Sequence, residues 1–129
     1  MAQNKLLSEL VATVAKEGAS DLHLSEGRPP VIRVSGFLIP LSKLAPLTKE
    51  DMENFLLMLL SPFNKKEFEE KKETNFAWSS EDGRRFRCNA FLTLGRIGVA
   101  MRLVPAEVKS FEELNLPPIL EDWVHRQLL

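Results

Sequence analysis

Two arginines, Arg87 and Arg102, have the residue type and the spacing to form an anion-binding pair across one hairpin. The residues around each of them, 84–92 and 97–104, alternate between apolar and polar side chains. An alternation with a period of two is typical of a half-buried β-strand. The connecting residues 93–96 include a glycine and predict a hairpin loop between the two strands.

A loop symmetric about Leu94 and Gly95 sets the register of this hairpin. Every pair on one face is then apolar: Phe86 with Leu103, Cys88 with Met101, and Ala90 with Val99. On the other face Arg87 lies directly opposite Arg102, and like charges in that position destabilise a sheet by up to about 1 kcal/mol. An anion held between the two arginines would explain this arrangement, because the planar guanidinium group suits phosphate or carboxylate.

A structural alternative is that both arginines form ion pairs with acidic residues on the surface. Glu73, Glu81 and Asp82 are acids that lie near the hairpin in the sequence. The hairpin geometry taken alone favours this alternative, because charge clusters indicate functional sites only as a statistical tendency.

The composition is typical of a globular domain, with 129 residues, 44% hydrophobic and 27% charged. The net charge of −1 argues against a nucleic-acid-binding protein, which needs a basic face. The single cysteine excludes an internal disulfide, and the position of Cys88 on the apolar side of its strand predicts a buried, inert thiol. The N-terminus does not resemble a signal peptide, and the most apolar window, 55–60, is too short to span a bilayer, so we predict a cytoplasmic protein or a piece of one.

Local patterns predict the order helix, three strands, two helices, three strands and a final helix. Gly18 ends the first helix, Thr48 with Asp51 as an imperfect capping-box partner begins the second, and Pro62 begins the third. Because short turns join the neighbouring strands, the predicted fold class is α+β on a largely antiparallel sheet. The apolar residues of the final helix have no evident partner, so it is either a lid or the first element of another domain.

The sequence contains no motif for catalysis on its own. It has no Gly-x-x-x-x-Gly-Lys-Ser/Thr loop, no Gly-x-Ser-x-Gly elbow and no cluster of His, Cys and carboxylates with metal-ligand spacing. His23 and His125 belong to different elements, and His23 is interpreted as a hydrogen-bonded surface or interface residue. We therefore expect no catalytic residue and no metal site in these 129 residues.

Several segments together resemble the N-terminal, PAS-like domain of the PilT-type ATPases, the motors that retract type IV pili. They occur in the family's order from about residue 3 to the end: Ala-Ser-Asp-Leu-His-Leu at 19–24, Pro-Pro-Val-Ile-Arg-Val-Ser-Gly at 29–36, Glu-Thr-Asn-Phe at 73–76, Arg-Phe-Arg-Cys-Asn-Ala-Phe at 85–91, Arg-Leu-Val-Pro at 102–105 and Ser-Phe-Glu-Glu-Leu-Asn-Leu-Pro at 110–117. Each segment alone is a weak signal, whereas the ordered set is a strong one.

The resemblance implies a PAS-like domain with about six strands over residues 1–105, a linker at 106–110, and the beginning of a RecA-like ATPase domain at 111–129. The Walker A motif would follow beyond Leu129, so this fragment should be inactive alone. The complete protein would be a hexameric ATPase that uses ATP and Mg²⁺, is cytoplasmic but peripheral to the inner membrane, and acts on an inner-membrane pilus platform protein. We expect no tightly bound nucleotide and no nucleic acid on the fragment, and self-association or swapping of its C-terminal helix.

The resemblance also implies that Arg87 and Arg102 sense the phosphates of ATP held by the following ATPase domain, and this now becomes the favoured interpretation. Arg85 and Arg96 are secondary candidates for the same role. Two alternatives stay open. One is a PAS-like sensor or interaction module with an internal apolar pocket, and the other is the same domain of a pilus-extension or type II secretion ATPase.

Overall fold

The computed structural model of the protein describes residues 2–105, with side chains from residue 5 onward. It contains three helices, α1 (Ala2–Lys16), α2 (Lys49–Leu59) and α3 (Pro62–Lys71). The six strands are β1 (Asp21–Ser25), β2 (Val31–Val34), β3 (Phe37–Pro40), β4 (Glu73–Ser79), β5 (Arg85–Thr93) and β6 (Arg96–Val104). The predicted order of these elements is confirmed, while the predicted linker at 106–110, the segment 111–129 and the final helix lie outside the described residues.

The six strands form one sheet in the order β3-β2-β1-β6-β5-β4, and all neighbouring strands are antiparallel. This confirms the predicted α+β class with an antiparallel sheet of six strands. The first strand of the chain pairs with the last one, β6, in the middle of the sheet. That pairing joins residues about eighty positions apart, as for Asp21 and Arg102, and it determines which side chains become neighbours.

The helix ends follow the residues that the sequence pattern singled out. Gly18, just after α1, has a φ of 65°, a conformation that glycine adopts without strain. At the start of α2 the backbone N–H of Asp51 donates to Oγ1 of Thr48 at 3.0 Å, and the N–H of Thr48 donates to Oδ2 of Asp51 at 2.9 Å. The predicted imperfect capping box is therefore complete, and such an N-cap contributes about 1 kcal/mol. Pro62 begins α3 as predicted.

The hydrophobic core lies between the helices and one face of the sheet, which we call the helix-covered face. Alternate strand residues reach it, and the largest fully buried side chains come from helices and strands alike: Leu10, Val14, Leu22, Leu24, Met52, Phe55, Phe86, Val99 and Met101. None of the three described helices packs on the opposite face, which we call the open face. The remaining alternate residues of the strands lie on it, including Asp21, His23, Arg33, Arg87, Asn89 and Arg102.

The β5–β6 hairpin has the register predicted from its apolar pairs. Phe86 pairs with Leu103, Cys88 with Met101, Ala90 with Val99, and Arg87 with Arg102. The predicted four-residue loop is shorter in the structure, because Thr93 pairs with Arg96 and only Leu94 and Gly95 form the turn. Both turn residues have positive φ, 53° and 77°, as the right-handed strand twist requires in a two-residue hairpin turn.

The two edges of the sheet differ. At the β4 edge, Asn64 of α3 donates from Nδ2 to Oγ1 of Thr74 at 2.9 Å and to the carbonyl oxygen of Asn75 at 3.2 Å. Helix α3 therefore satisfies backbone and side-chain groups of that edge strand. At the β3 edge the apolar side chains of Phe37, Leu38 and Ile39 are exposed. Pro40, which lacks a backbone N–H, ends this short strand and limits pairing there.

Candidate functional site

Four charged residues form a straight row across the open face of the sheet. Asp21 of β1 is the cross-strand partner of Arg33 on β2 and of Arg102 on β6. Arg102 is in turn the partner of Arg87 on β5. Neighbouring strands lie about 4.8 Å apart, so the row spans roughly 14 Å. It carries three positive charges and one negative charge, and its surplus charge lies at the Arg87–Arg102 end.

Asp21 is the acid within this row, and it contacts the arginine on either side of it. Nε of Arg102 donates to Oδ1 of Asp21 at 3.4 Å, and Nη2 donates to Oδ2 at 3.4 Å. Nε of Arg33 lies 3.7 Å from Oδ2 of the same carboxylate. These contacts are longer than the 2.7–2.9 Å that is typical of charge-assisted hydrogen bonds, so Arg102 is held loosely.

Two of the three acids that are near in sequence, Glu73 and Asp82, have other partners in the structure. Glu73 accepts a hydrogen bond from the amide of Asn89 at 3.0 Å, and Asp82 pairs with Arg84 in the turn before β5. The structural alternative is therefore wrong about Glu73 and Asp82, although Arg102 does form an ion pair with another acid, Asp21. The reason is geometric, because the β1–β6 pairing brings Asp21 next to Arg102 from the far end of the chain.

The two arginines of the pair have different surroundings. The side chain of Arg102 is 72% exposed although its guanidinium contacts Asp21, whose side chain is only 9% exposed. Arg87 is also exposed, and within the described part of the chain its guanidinium has no ion pair and no hydrogen bond. An anion that approaches the open face would therefore meet one unpaired and one loosely paired guanidinium.

The structure brings one of the two secondary candidates close to the pair. Arg85 is exposed and lies on the open face two residues before Arg87, roughly 7 Å away along the strand. Arg96 pairs with Thr93 at the tip of the hairpin. It is six residues before Arg102, which corresponds to roughly 20 Å along β6. The structure does not bring Arg96 to the Arg87–Arg102 pair.

A shallow groove of about 670 Å³ lies beside three residues of the row, Asp21, Arg102 and Arg87, and its lining also includes His23, Asn75 and Asn89. Nε2 of His23 lies 3.8 Å from Oδ2 of Asp21. This nitrogen is buried and has no hydrogen-bond partner among the described residues, so the hydrogen bond that the sequence predicted for His23 is not found at Nε2. The amide of Asn89 also donates to Oδ1 of Asn75 at 2.8 Å. Polar groups therefore line the groove beside the arginines.

Cys88 lies on the helix-covered face directly behind the candidate site. It is a free cysteine, 5% exposed, and burial raises the pKa of its thiol to about 12. The predicted burial of Cys88 is confirmed, and its inertness stays a prediction that the raised pKa supports, because the thiolate is the nucleophilic and metal-binding form. No group of three or more potential metal-ligating side chains occurs within residues 2–105. Of the described helices, none has the length and apolar character needed to cross a membrane.

The sequence did not indicate that Asp21 and Arg33 belong to this site. The alternation of β1 placed Asp21 on the polar side of its strand, but alternation gives no information about which strand is its neighbour. The alternation of β2 likewise gives no information about which strand lies next to Arg33. Both residues join the row only through pairings of β1 with β2 and β6.

Comparisons with known proteins give several related sequences, although no family model matches the chain. The type IV pilus retractation ATPase PilT of Pseudomonas aeruginosa is 37% identical over 115 residues, which is 89% of this chain and 33% of that protein. The type IV pilus ATPase PilU of the same organism is 33% identical over 113 residues, covering 88% of this chain and 29% of that protein. The chain thus spans about a third of the length of the relatives that it matches.

Solved structures show the same fold. A crystal structure of the pilus retraction motor PilT with bound ADP matches with a TM-score of 0.76 and 31% identity, covering 91% of this chain and 33% of that one. The ATPase DotB of Legionella pneumophila matches with a TM-score of 0.73 and 18% identity, covering 92% and 34%. The second likeness concerns the fold alone, whereas sequence and fold agree in the first.

Proposed function

Because this chain is homologous in sequence and fold to the N-terminal region of the PilT-like secretion ATPases, we propose that it caps the nucleotide and packs subunits in an ATPase motor. In this proposal residues 1–105 form the capping domain. Residues 106–110 are a linker, and 111–129 begin the ATPase domain that holds ATP and Mg²⁺.

The observation that carries this proposal is the cross-strand pairing of Arg87 with Arg102 on the open face. Two facing guanidinium groups repel each other, and an anion between them removes the repulsion. The terminal phosphate of ATP carries its charge on several oxygens, and positioned arginines stabilise such charge in phosphoryl transfer. Arg87 and Arg102 are therefore proposed to contact the terminal phosphate, with Arg85 next to them as a secondary contact.

The proposed mechanism is a rigid-body movement of the capping domain. ATP draws the β5–β6 hairpin toward the terminal phosphate, and hydrolysis with phosphate release frees it. Repeated around a hexameric ring, this movement turns chemical energy into mechanical work. The name of the relative PilT supports retraction of type IV pili as the process. A pilus platform protein in the inner membrane is the proposed partner.

The rival function, a sensor with an internal apolar pocket, is less well supported. Between the helices and the sheet the large side chains of Met52, Phe55, Phe86 and Met101 are at most 1% exposed and pack in one cluster. That interior is filled by the protein's own side chains. The lining of the surface groove includes the two positive charges of Arg87 and Arg102 against one carboxylate, that of Asp21, and this surplus positive charge suits an anion.

ATP binding to the 129-residue chain tests the proposal through its arginines. In an ¹H–¹⁵N NMR titration we expect weak binding, with a dissociation constant on the order of millimolar, because most phosphate ligands belong to the proposed ATPase domain. Arg87→Ala and Arg102→Ala should each weaken binding at least about fivefold, the effect of losing one close charge. Arg96→Ala removes the same charge at the hairpin tip and should change binding by less than about twofold.

Hydrolysis by the same preparation provides a second test. We expect no ATP turnover by the pure 129-residue chain, because its sequence has no phosphate-binding loop of the Gly-x-x-x-x-Gly-Lys-Ser/Thr type. Turnover at the rate of a complete motor would contradict the proposal. Equal losses of ATP binding in Arg96→Ala and Arg87→Ala would also contradict it.

A further inference from the structure

The carboxylate of Asp21 is nearly enclosed by nitrogen-bearing side chains. Its side chain is 9% exposed, and Arg102, Arg33 and His23 contact its oxygens at 3.4 Å, 3.7 Å and 3.8 Å. Asp21 is thus an anion that already occupies one side of the Arg102 guanidinium. A ligand that bridges Arg87 and Arg102 must compete with this built-in anion.

Arg33 and Arg102 share the carboxylate unequally. Arg33 is tethered on its other side, because its Nη1 donates to the carbonyl oxygen of Gly36 at 3.1 Å, and its side chain is 37% exposed. Arg102 is 72% exposed, and among the described residues Asp21 is its only side-chain partner. Of the two arginines, Arg102 is therefore the one that is free to turn away.

The departure of Arg102 would not leave a buried carboxylate without a positive partner. Removing the only partner of a buried charge is strongly destabilising, but Arg33 would remain next to Asp21, fixed by its contact with Gly36. The cost of releasing Arg102 is thereby limited. This makes exchange of Arg102 between two anions physically reasonable.

We propose that Asp21 sets the minimum charge an anion needs to bind the arginine pair, which we call the anion threshold. Asp21 holds Arg102 until a more highly charged phosphate group displaces the carboxylate. The inference rests on the proposed phosphate-sensing function and adds a specificity-determining residue to it. A singly charged anion offers Arg102 no more charge than Asp21 already does. A doubly charged terminal phosphate attracts both guanidinium groups more strongly and takes Arg102 from Asp21.

Binding of inorganic tripolyphosphate to the 129-residue chain tests this inference with a matched pair of variants. Asp21→Asn removes the competing charge while keeping the side-chain shape, and we expect it to tighten binding about fivefold to tenfold. Glu73→Gln removes the same charge from the open face, where Glu73 contacts Asn89 and not the arginine pair. It should tighten binding by less than about twofold, since exposed distant charges are screened.

A double-mutant cycle separates competition for Arg102 from a general change in charge. In an Arg102→Ala background, Asp21→Asn should improve tripolyphosphate binding by less than about twofold, because no Arg102 is left to release. An undiminished gain in that background would overturn the inference. The ¹H–¹⁵N spectrum and the urea midpoint of each variant establish that it is folded.

A measurement on the unaltered chain keeps the inference testable should Asp21→Asn fail to fold. The ¹³C signal of the Asp21 carboxyl group should shift as tripolyphosphate binds, because Arg102 leaves it, while the Glu73 carboxyl signal stays in place. A constant Asp21 signal at saturation would overturn the inference.

The outcomes for the two proposals are distinct. If tripolyphosphate binding requires Arg87 and Arg102 but Asp21→Asn leaves it unchanged or weaker, the threshold role is wrong and phosphate sensing stands. If binding does not depend on Arg87 or Arg102 at all, phosphate sensing is wrong, and the role of Asp21 fails with it.

Discussion

The helix-covered face and the open face of the sheet are made by the same strands but differ in how they affect stability. In β5 and β6 the residues that reach the helices are apolar, as Phe86 and Met101 are, each 1% exposed. Their immediate neighbours in sequence, Arg87 and Arg102, lie on the open face and repel each other. One face stabilises the fold by burial, and the other holds an arrangement that is locally unfavourable.

This difference indicates where the fold tolerates a cost. Burying a large apolar side chain contributes about 1.5–3 kcal/mol, whereas a pair of facing like charges costs at most about 1 kcal/mol. The covered face therefore stabilises the hairpin enough to keep the arginine pair in place. Local departures of this kind are expected at functional sites.

The largest expected effect comes from opening a cavity in the core between the helices and the helix-covered face. Phe55→Ala should lower the free energy of unfolding by about 3–5 kcal/mol, because Phe55 is 0% exposed. Phe63→Ala is the matched control, since Phe63 is 73% exposed and its loss should change stability by less than about 0.5 kcal/mol. Urea unfolding of both variants measures the difference. Similar losses in both would contradict the assignment of the stabilising burial to the core between the helices and the helix-covered face.

The next effect concerns the thiol on the covered face. The pKa of Cys88 is raised from 9.0 to about 12, so at pH 9 the folded chain should react with iodoacetamide at least about a hundredfold more slowly than the urea-unfolded chain. The folded pKa of Cys88 lies above the unfolded one. The contribution of the buried, protonated thiol to the free energy of unfolding is therefore complete below pH 9 and is lost as the pH rises toward 12. Fast alkylation of the folded chain would show that the Cys88 thiol is accessible to the reagent.

The smallest effect distinguishes the two arginines on the open face. Arg102→Ala should destabilise the fold by about 1 kcal/mol, because it removes one partner of the buried Asp21 carboxylate. Arg87→Ala should be neutral or stabilise the fold by less than about 1 kcal/mol, because it only relieves repulsion. Thermal or urea unfolding of the two variants side by side gives the sign of each change. Equal destabilisation by both would mean that Arg87 has a structural role.

The sequence was sufficient to predict the β5–β6 hairpin, including the register that pairs Arg87 with Arg102. Its alternation is regular, and the register symmetric about Leu94 and Gly95 makes every pair on one face apolar. The length of the turn was harder to predict, because leucine at a φ of 53° is unusual where asparagine or glycine is expected. The four-residue loop was therefore an overestimate, although its centre was correct.

The partner of Arg102 was not predictable from local patterns. A strand's alternation assigns its side chains to a face, but the choice of neighbouring strand depends on packing of the whole sheet. Asp21 and Arg102 are neighbours because β1 inserts between β2 and β6. The residues of the helix-covered face, in contrast, follow from the two-residue alternation of the strands and the helical spacing of apolar residues. More of the core than of the candidate site could therefore be predicted from the sequence.

The two-residue turn at Leu94 and Gly95 has a consequence for how this region can evolve. Inserting or deleting a single residue there would shift the pairing of β6 by one step relative to β5, and each side chain would then face the opposite way. Met101 would leave the interior and Arg102 would enter it, so that folding and anion recognition would be lost in one event. A one-residue change in chain length that shifts this pairing is therefore disfavoured, whereas substitutions on the open face leave the pairing intact.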